Sequence, residues 1–179
     1  MTRGIASCLL LLAAFAGTAA PARAQPSETA VKAAFLTKFP AYVDWPATLR
    51  MPPNAPIALC IVGNDPFGRT IDAAARGQEV DHHPLVVKRM PTAAGADGCQ
   101  VAFVDGDKGH STAEMLHALQ GKPVLTVTDG RAGSDRGIIH FVLDGGRVRF
   151  HIDQAAAENC GLSLSARLLA IALSVRTSR

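Results

Sequence analysis

Apolar and polar positions fall into blocks along the chain, and each block points to its own secondary structure. Over residues 28–43, Val31, Ala34, Phe35, Phe39, Tyr42 and Val43 recur at helical spacing, which predicts a helix with these residues as its buried stripe. Pro40 lacks an N–H and crowds the preceding turn, so it ends or kinks that helix. Trp45-Pro46 then sends the chain on extended. Residues 57–62 are an unbroken apolar run, the pattern of a strand covered on both faces. A helix over 67–75, strands over 85–90 and 100–104, a helix over 112–119 closed by Gly121 and a strand over 123–127 follow. Strands alternating with short helices predict a layered, Rossmann-like α/β fold with a mainly parallel sheet flanked by helices.

The rhythm changes near residue 138. Residues 138–143 and 148–152 flank Asp144-Gly145-Gly146-Arg147, whose glycines accept the positive φ of a two-residue hairpin turn. That turn sets the register. Leu143 faces Val148, Phe141 faces Phe150 and Ile139 faces Ile152, on an apolar face expected to pack inward. The opposite face pairs Asp144 with Arg147, Val142 with Arg149 and His140 with His151. A short helix over 153–159 stopped by Gly161 follows. A last helix is expected over 163–175, buried along Leu164, Leu168, Ile171, Ala172 and Val175, so the fold closes on a C-terminal β-hairpin and helix.

The first 24 residues read as an export signal. Arg3 supplies the positive charge, Leu9 to Ala16 is apolar throughout, and Ala22-Arg23-Ala24 has the small-x-small form of a cleavage site. Cleavage is expected before Gln25, which leaves residues 25–179 as one domain in an oxidising compartment, the periplasm. The apolar run is well short of the roughly 20 residues needed to span a bilayer, so direct membrane insertion is not expected. Removing the leader leaves sixteen basic and fifteen acidic residues, a net of +1 in place of +3. No Lys/Arg run is present, which argues against nucleic acid as a partner. Cys60 and Cys99 sit beside two expected strands and read as a disulfide in an oxidising compartment, with Cys160 left over.

The chemistry-bearing residues do not assemble into a catalytic set. There is no Gly-x-Ser-x-Gly elbow and no Ser-x-x-Lys. The glycines from Gly63 to Gly68 follow a strand, but no Lys-Ser/Thr follows them, so they read as a turn and helix cap. Asp105 at a strand end resembles a phosphoacceptor in placement. Asp65 alone stands at the end of the first strand, too few carboxylates to hold magnesium there. No catalytic residue and no cofactor are therefore expected. His140 and His151, opposed in the hairpin, with Asp153 two residues along, are the one candidate zinc set. A polar pair on a wet face is the preferred reading, since no fourth ligand is evident. Val142, Arg147, Arg149 and His151 make a mixed polar and apolar strip of the kind enriched in arginine at protein interfaces, and they are the candidate partner-binding residues.

An ordered set of segments resembles the YfiR-like periplasmic regulatory proteins. It runs from Val31-Lys32-Ala33-Ala34-Phe35-Leu36-Thr37-Lys38-Phe39 through Tyr42-Val43-Asp44-Trp45-Pro46 to Ala58-Leu59-Cys60-Ile61-Val62-Gly63. It continues with Gly121-Lys122-Pro123-Val124-Leu125-Thr126-Val127-Thr128-Asp129, Ile138-Ile139-His140-Phe141-Val142-Leu143, Gly146-Arg147-Val148-Arg149-Phe150 and Gly161-Leu162-Ser163-Leu164-Ser165. The resemblance implies regulation by binding. Such proteins restrain the periplasmic region of an inner-membrane diguanylate cyclase, and release raises cyclic-di-GMP and promotes biofilm. It also implies a redox- or envelope-stress-responsive homodimer in which Cys60 and Cys99 are bridged. A sensor kinase is the related choice of partner, and a small-molecule or metal-binding sensor is the alternative function. The sequence departs from the family in having no cysteine between Asp129 and Ile138, where some members carry a second bridge, and in having Pro40, His140 and His151.

Overall fold

A computed structural model describes residues 25–49 and 51–178. The proposed export segment, residues 1–24, lies outside the described residues. The chain opens with α1 (Glu28–Lys38), capped by Ser27, whose side chain accepts a hydrogen bond from the Ala30 N–H. Pro40 ends it as expected, and a 3-10 turn (Phe39–Tyr42) leads into β1 (Val43–Asp44). Then come β2 (Ile57–Gly63), α2 (Arg69–Ala75), β3 (Glu79–Val80), β4 (His83–Met90), β5 (Val101–Asp105), α3 (Thr112–Leu119) and β6 (Leu125–Asp129). The chain closes with β7 (Ile139–Asp144), β8 (Arg147–Asp153), α4 (Gln154–Asn159), β9 (Ser163–Leu164), α5 (Ala166–Ile171) and β10 (Ser174–Arg176).

The sheet has eight strands in the order β10-β8-β7-β6-β5-β2-β4-β3. Strands β4, β2, β5, β6 and β7 are mutually parallel. Along the chain these five run 2-1-3-4-5, a doubly wound order that reverses between β2 and β5. The fold class read from the sequence is thus what the structure has. Successive side chains of β2 go to opposite faces. Leu59 and Ile61 join a core with Leu36 of α1, Ile71 of α2 and Leu168 of α5, and Cys60 and Val62 join a second with Met115 and Leu119 of α3.

Two helical expectations are corrected. In α1 the buried residues are Lys32, Ala33, Leu36 and Thr37, while Ala34 is exposed, Phe35 half-buried and Tyr42 exposed. The polar Lys32 and Thr37 are among the residues turned inward, so apolar spacing alone did not fix the inward face. An inward ion pair from Lys32 to Asp129 turns the other side to the sheet. The expected last helix over 163–175 is not one helix. It is α5 flanked by β9 and β10, and of its expected stripe Ile171 and Val175 are exposed. The edge of β8 offers free backbone groups, and the chain takes them. The Leu173 N–H donates to the Phe150 carbonyl at 2.8 Å, and Ser174–Arg176 run parallel beside His151, Ile152 and Asp153.

Candidate functional site

The hairpin has the register the turn dictates. Phe141 lies opposite Phe150, Val142 opposite Arg149 and His140 opposite His151. Gly145 and Gly146 hold φ of 54° and 74° at the turn, values that cost most side chains strain. On the inner face Phe141 and Phe150 are buried against the rings of Phe35 and Phe39, with centroids 5.4 to 6.4 Å apart. Leu143, expected inside, is exposed, because the tip of the hairpin extends past the helices that cover its base.

On the outer face Arg147 is exposed and Val142, Arg149 and His151 are half-buried. Strand β10 widens this strip, its Ser174 and Val175 having been expected in the last helix and Arg176 just beyond it. Ser174 Oγ lies 2.6 Å from His151 Nδ1, and Arg176 pairs with Asp153. His140 departs from the wet face expected for it. It is buried, its Nδ1 is 2.8 Å from the Thr128 hydroxyl, and a Cβ at Gly130 would come within 3.4 Å of its Nε2. Burial, and then Arg136 and His151 nearby, hold its imidazole below the ordinary histidine range. The three candidate zinc ligands therefore have separate occupations, Asp153 also capping α4 through Ala156 N–H at 3.0 Å. Among the described residues no three His, Cys, Asp or Glu side chains group to hold a metal ion.

Cys60 and Cys99 are joined by a disulfide with Cα atoms 6.0 Å apart. Both ends are buried beneath α3, while Cys160 is free and half-buried at the C-cap of α4. The bridge ties β2 to the 3-10 turn before β5, across 39 residues. Its burial keeps a reductant out of reach until that layer opens.

A second concave feature lies where the parallel strands end. Asp105 closes β5, Asp129 closes β6, and both line a cleft of about 250 Å³. Buried Lys32 reaches into it from α1 and holds Asp129 and Glu28 at 2.5 Å each. Arg131 takes the other oxygen of Glu28 at 2.5 Å. The remaining wall is apolar, from Pro66, Phe67 and Phe103, the two rings edge to face at 4.8 Å. Asp65 serves the local turn. It accepts from Phe67 N–H and Gly68 N–H and pairs with Arg89 at 2.8 Å, so it is not available as a partner for Asp105. Sequence reading singled out Asp105 but missed Lys32 and Asp129, which are 97 residues apart and meet only through the fold.

No curated protein matches the chain. The family model described as YfiR/HmsC-like, DUF4154, matches residues 29–173, which is most of the sequence, and the chain belongs to that family.

Proposed function

We propose, from membership of the YfiR/HmsC-like family, that this protein is a periplasmic regulator that restrains the periplasmic region of an inner-membrane signalling protein, a diguanylate cyclase or a sensor kinase, by binding its inactive state. A domain that represses by occupancy must bind that state better than the active one, since a ligand indifferent to the two shifts nothing. The observation that carries the contact surface is the outer strip of the hairpin. Val142, Arg147, Arg149 and His151 stand on one face of the β7–β8 hairpin with Arg176 of β10 at its margin, and they combine accessible guanidinium groups with an apolar centre. The strip fits a partner with acidic side chains around an apolar contact. Among the described residues no helix is long and apolar enough to cross a membrane. Cleavage before Gln25, periplasmic release of the single domain 25–179 and homodimer formation belong to the same reading. A redox or stress signal would act by loosening the buried Cys60–Cys99 tie, not by exchange at an exposed sulfur.

The test is capture of the partner from envelope extract with the purified protein and its Arg149→Glu variant as baits. The wild type retains one inner-membrane signalling protein, and the variant, equally folded and disulfide-bonded, loses it. Equal retention by both baits would place the interface elsewhere.

A further inference from the structure

We propose that the cleft at the carboxyl ends of β5 and β6 binds a small organic ammonium ion, with Asp105 as the group that receives it. The inference goes beyond the regulatory reading and stands without it, because binding is measured on this protein alone.

Charge balance inside the cleft is the first argument. Glu28, Asp105 and Asp129 face it as carboxylates, against Lys32 and Arg131 as cations. Lys32 is spent on Glu28 and Asp129 together, and Arg131 on Glu28. Among the described residues no cation pairs with Asp105. The cleft is therefore one positive charge short, and a monocation completes it. Burial, and then the charge of Asp129, raise the Asp105 carboxyl above its ordinary range.

The second argument concerns the kind of cation. A bare divalent ion takes six or more oxygens, or near-octahedral geometry. No group of three His, Cys, Asp or Glu side chains suited to a metal exists among the described residues. The wall beside Asp105 is instead Pro66, Phe67 and Phe103, apolar carbon that suits the hydrocarbon part of an organic ammonium ion. The volume, about 250 Å³, lies below the roughly 300–1,000 Å³ of drug-sized sites, so the ligand is small.

The third is position. Doubly wound sheets bind ligands outside the carboxyl ends of their strands, where the strand order reverses. Here the reversal lies between β2 and β5, and the cleft is bounded by the end of β5 and by Pro66 and Phe67 in the loop after β2. Gly63 lets these two strand ends come together. A Cβ there would sit 1.9 Å from the Asp105 carbonyl oxygen, so only glycine allows the Asn64 N–H to donate to that oxygen at 2.9 Å.

Titration calorimetry of the purified protein with 2-phenylethylamine tests this, with 2-phenylethanol as the uncharged analogue of the same shape. The amine should bind saturably and at least tenfold more tightly than the alcohol. Asp105→Asn should abolish that preference, while Asp107→Asn, altered two residues away, should keep it. The comparison of amine with alcohol on the unaltered protein stands even if a variant misfolds. Absence of saturable amine binding, equal binding of the alcohol, or an unchanged preference in a folded Asp105→Asn protein would each overturn the proposal. So would calcium or magnesium binding at Asp105 without amine binding.

Discussion

His140 shows how far one residue's environment can depart from its place in a pattern. Hairpin register correctly opposes it to His151, yet register says nothing of the loop before β7 that buries it. Its lowered protonation has a consequence for stability. In the unfolded chain an imidazole takes up a proton below about pH 6.5. In the folded protein burial, Arg136 and His151 oppose that uptake. The unfolded state thus binds more protons as pH falls through that value, and stability falls with it. Urea midpoints for the wild type and His140→Gln at pH 7 and pH 5 check this. The gap between the two proteins should move in favour of the variant at pH 5, and a gap independent of pH would show that His140 does not titrate differently in the fold. The Lys32–Asp129 pair carries the opposite lesson. A lysine in a helix that also carries Glu28, Thr29, Thr37 and Lys38 reads as solvated, and only long-range placement reveals it as a buried charge held by two carboxylates.

Elements with strong short-range signals were legible. The turn glycines and alternation gave the hairpin residue by residue, and the unbroken apolar run of β2 gave a strand covered on both faces. Helix α3 carries its own capping box, Ser111 with Glu114, and matched its expected bounds. The misses occur where local pattern is ambiguous and tertiary context decides. In α1 the polar Lys32 and Thr37 turn inward with Ala33 and Leu36, so its inward face had to be set by the Lys32 ion pair and by Phe35 packing on Phe141 and Phe150. The segment after α5 has helical spacing but finds an open strand edge beside β8. The hairpin's inner face should therefore carry much of the stability of this end of the sheet. Phe150 is fully buried in a four-ring cluster, and Phe150→Ala should cost about 3–5 kcal/mol in chemical unfolding. A loss below about 1 kcal/mol would mean the cluster repacks without it.

At the scale of the molecule, the parallel sheet separates three features. The disulfide pins β2 beneath α3 on one face, contributing on the order of 4 kcal/mol if loop closure in the unfolded chain dominates. The cleft opens at the strand ends against α1, and the arginine strip lies out on β7, β8 and β10. Fold class and the bonded cysteines were readable from sequence, the first from the alternation of strands and helices and the second from the oxidising compartment expected of the leader. The cleft was not, because its charges come from α1, β5 and β6 and meet only when the sheet forms. The central claim, restraint of a membrane signalling protein by binding, makes a prediction in cells. Cyclic-di-GMP is measured in cells that lack this protein and in the same cells supplied with the wild type or with Arg149→Glu. The account predicts a rise on deletion, return to the parental level with the wild type, and no return with a stably exported, disulfide-bonded Arg149→Glu. An unchanged cyclic-di-GMP level on deletion would contradict it for a cyclase partner.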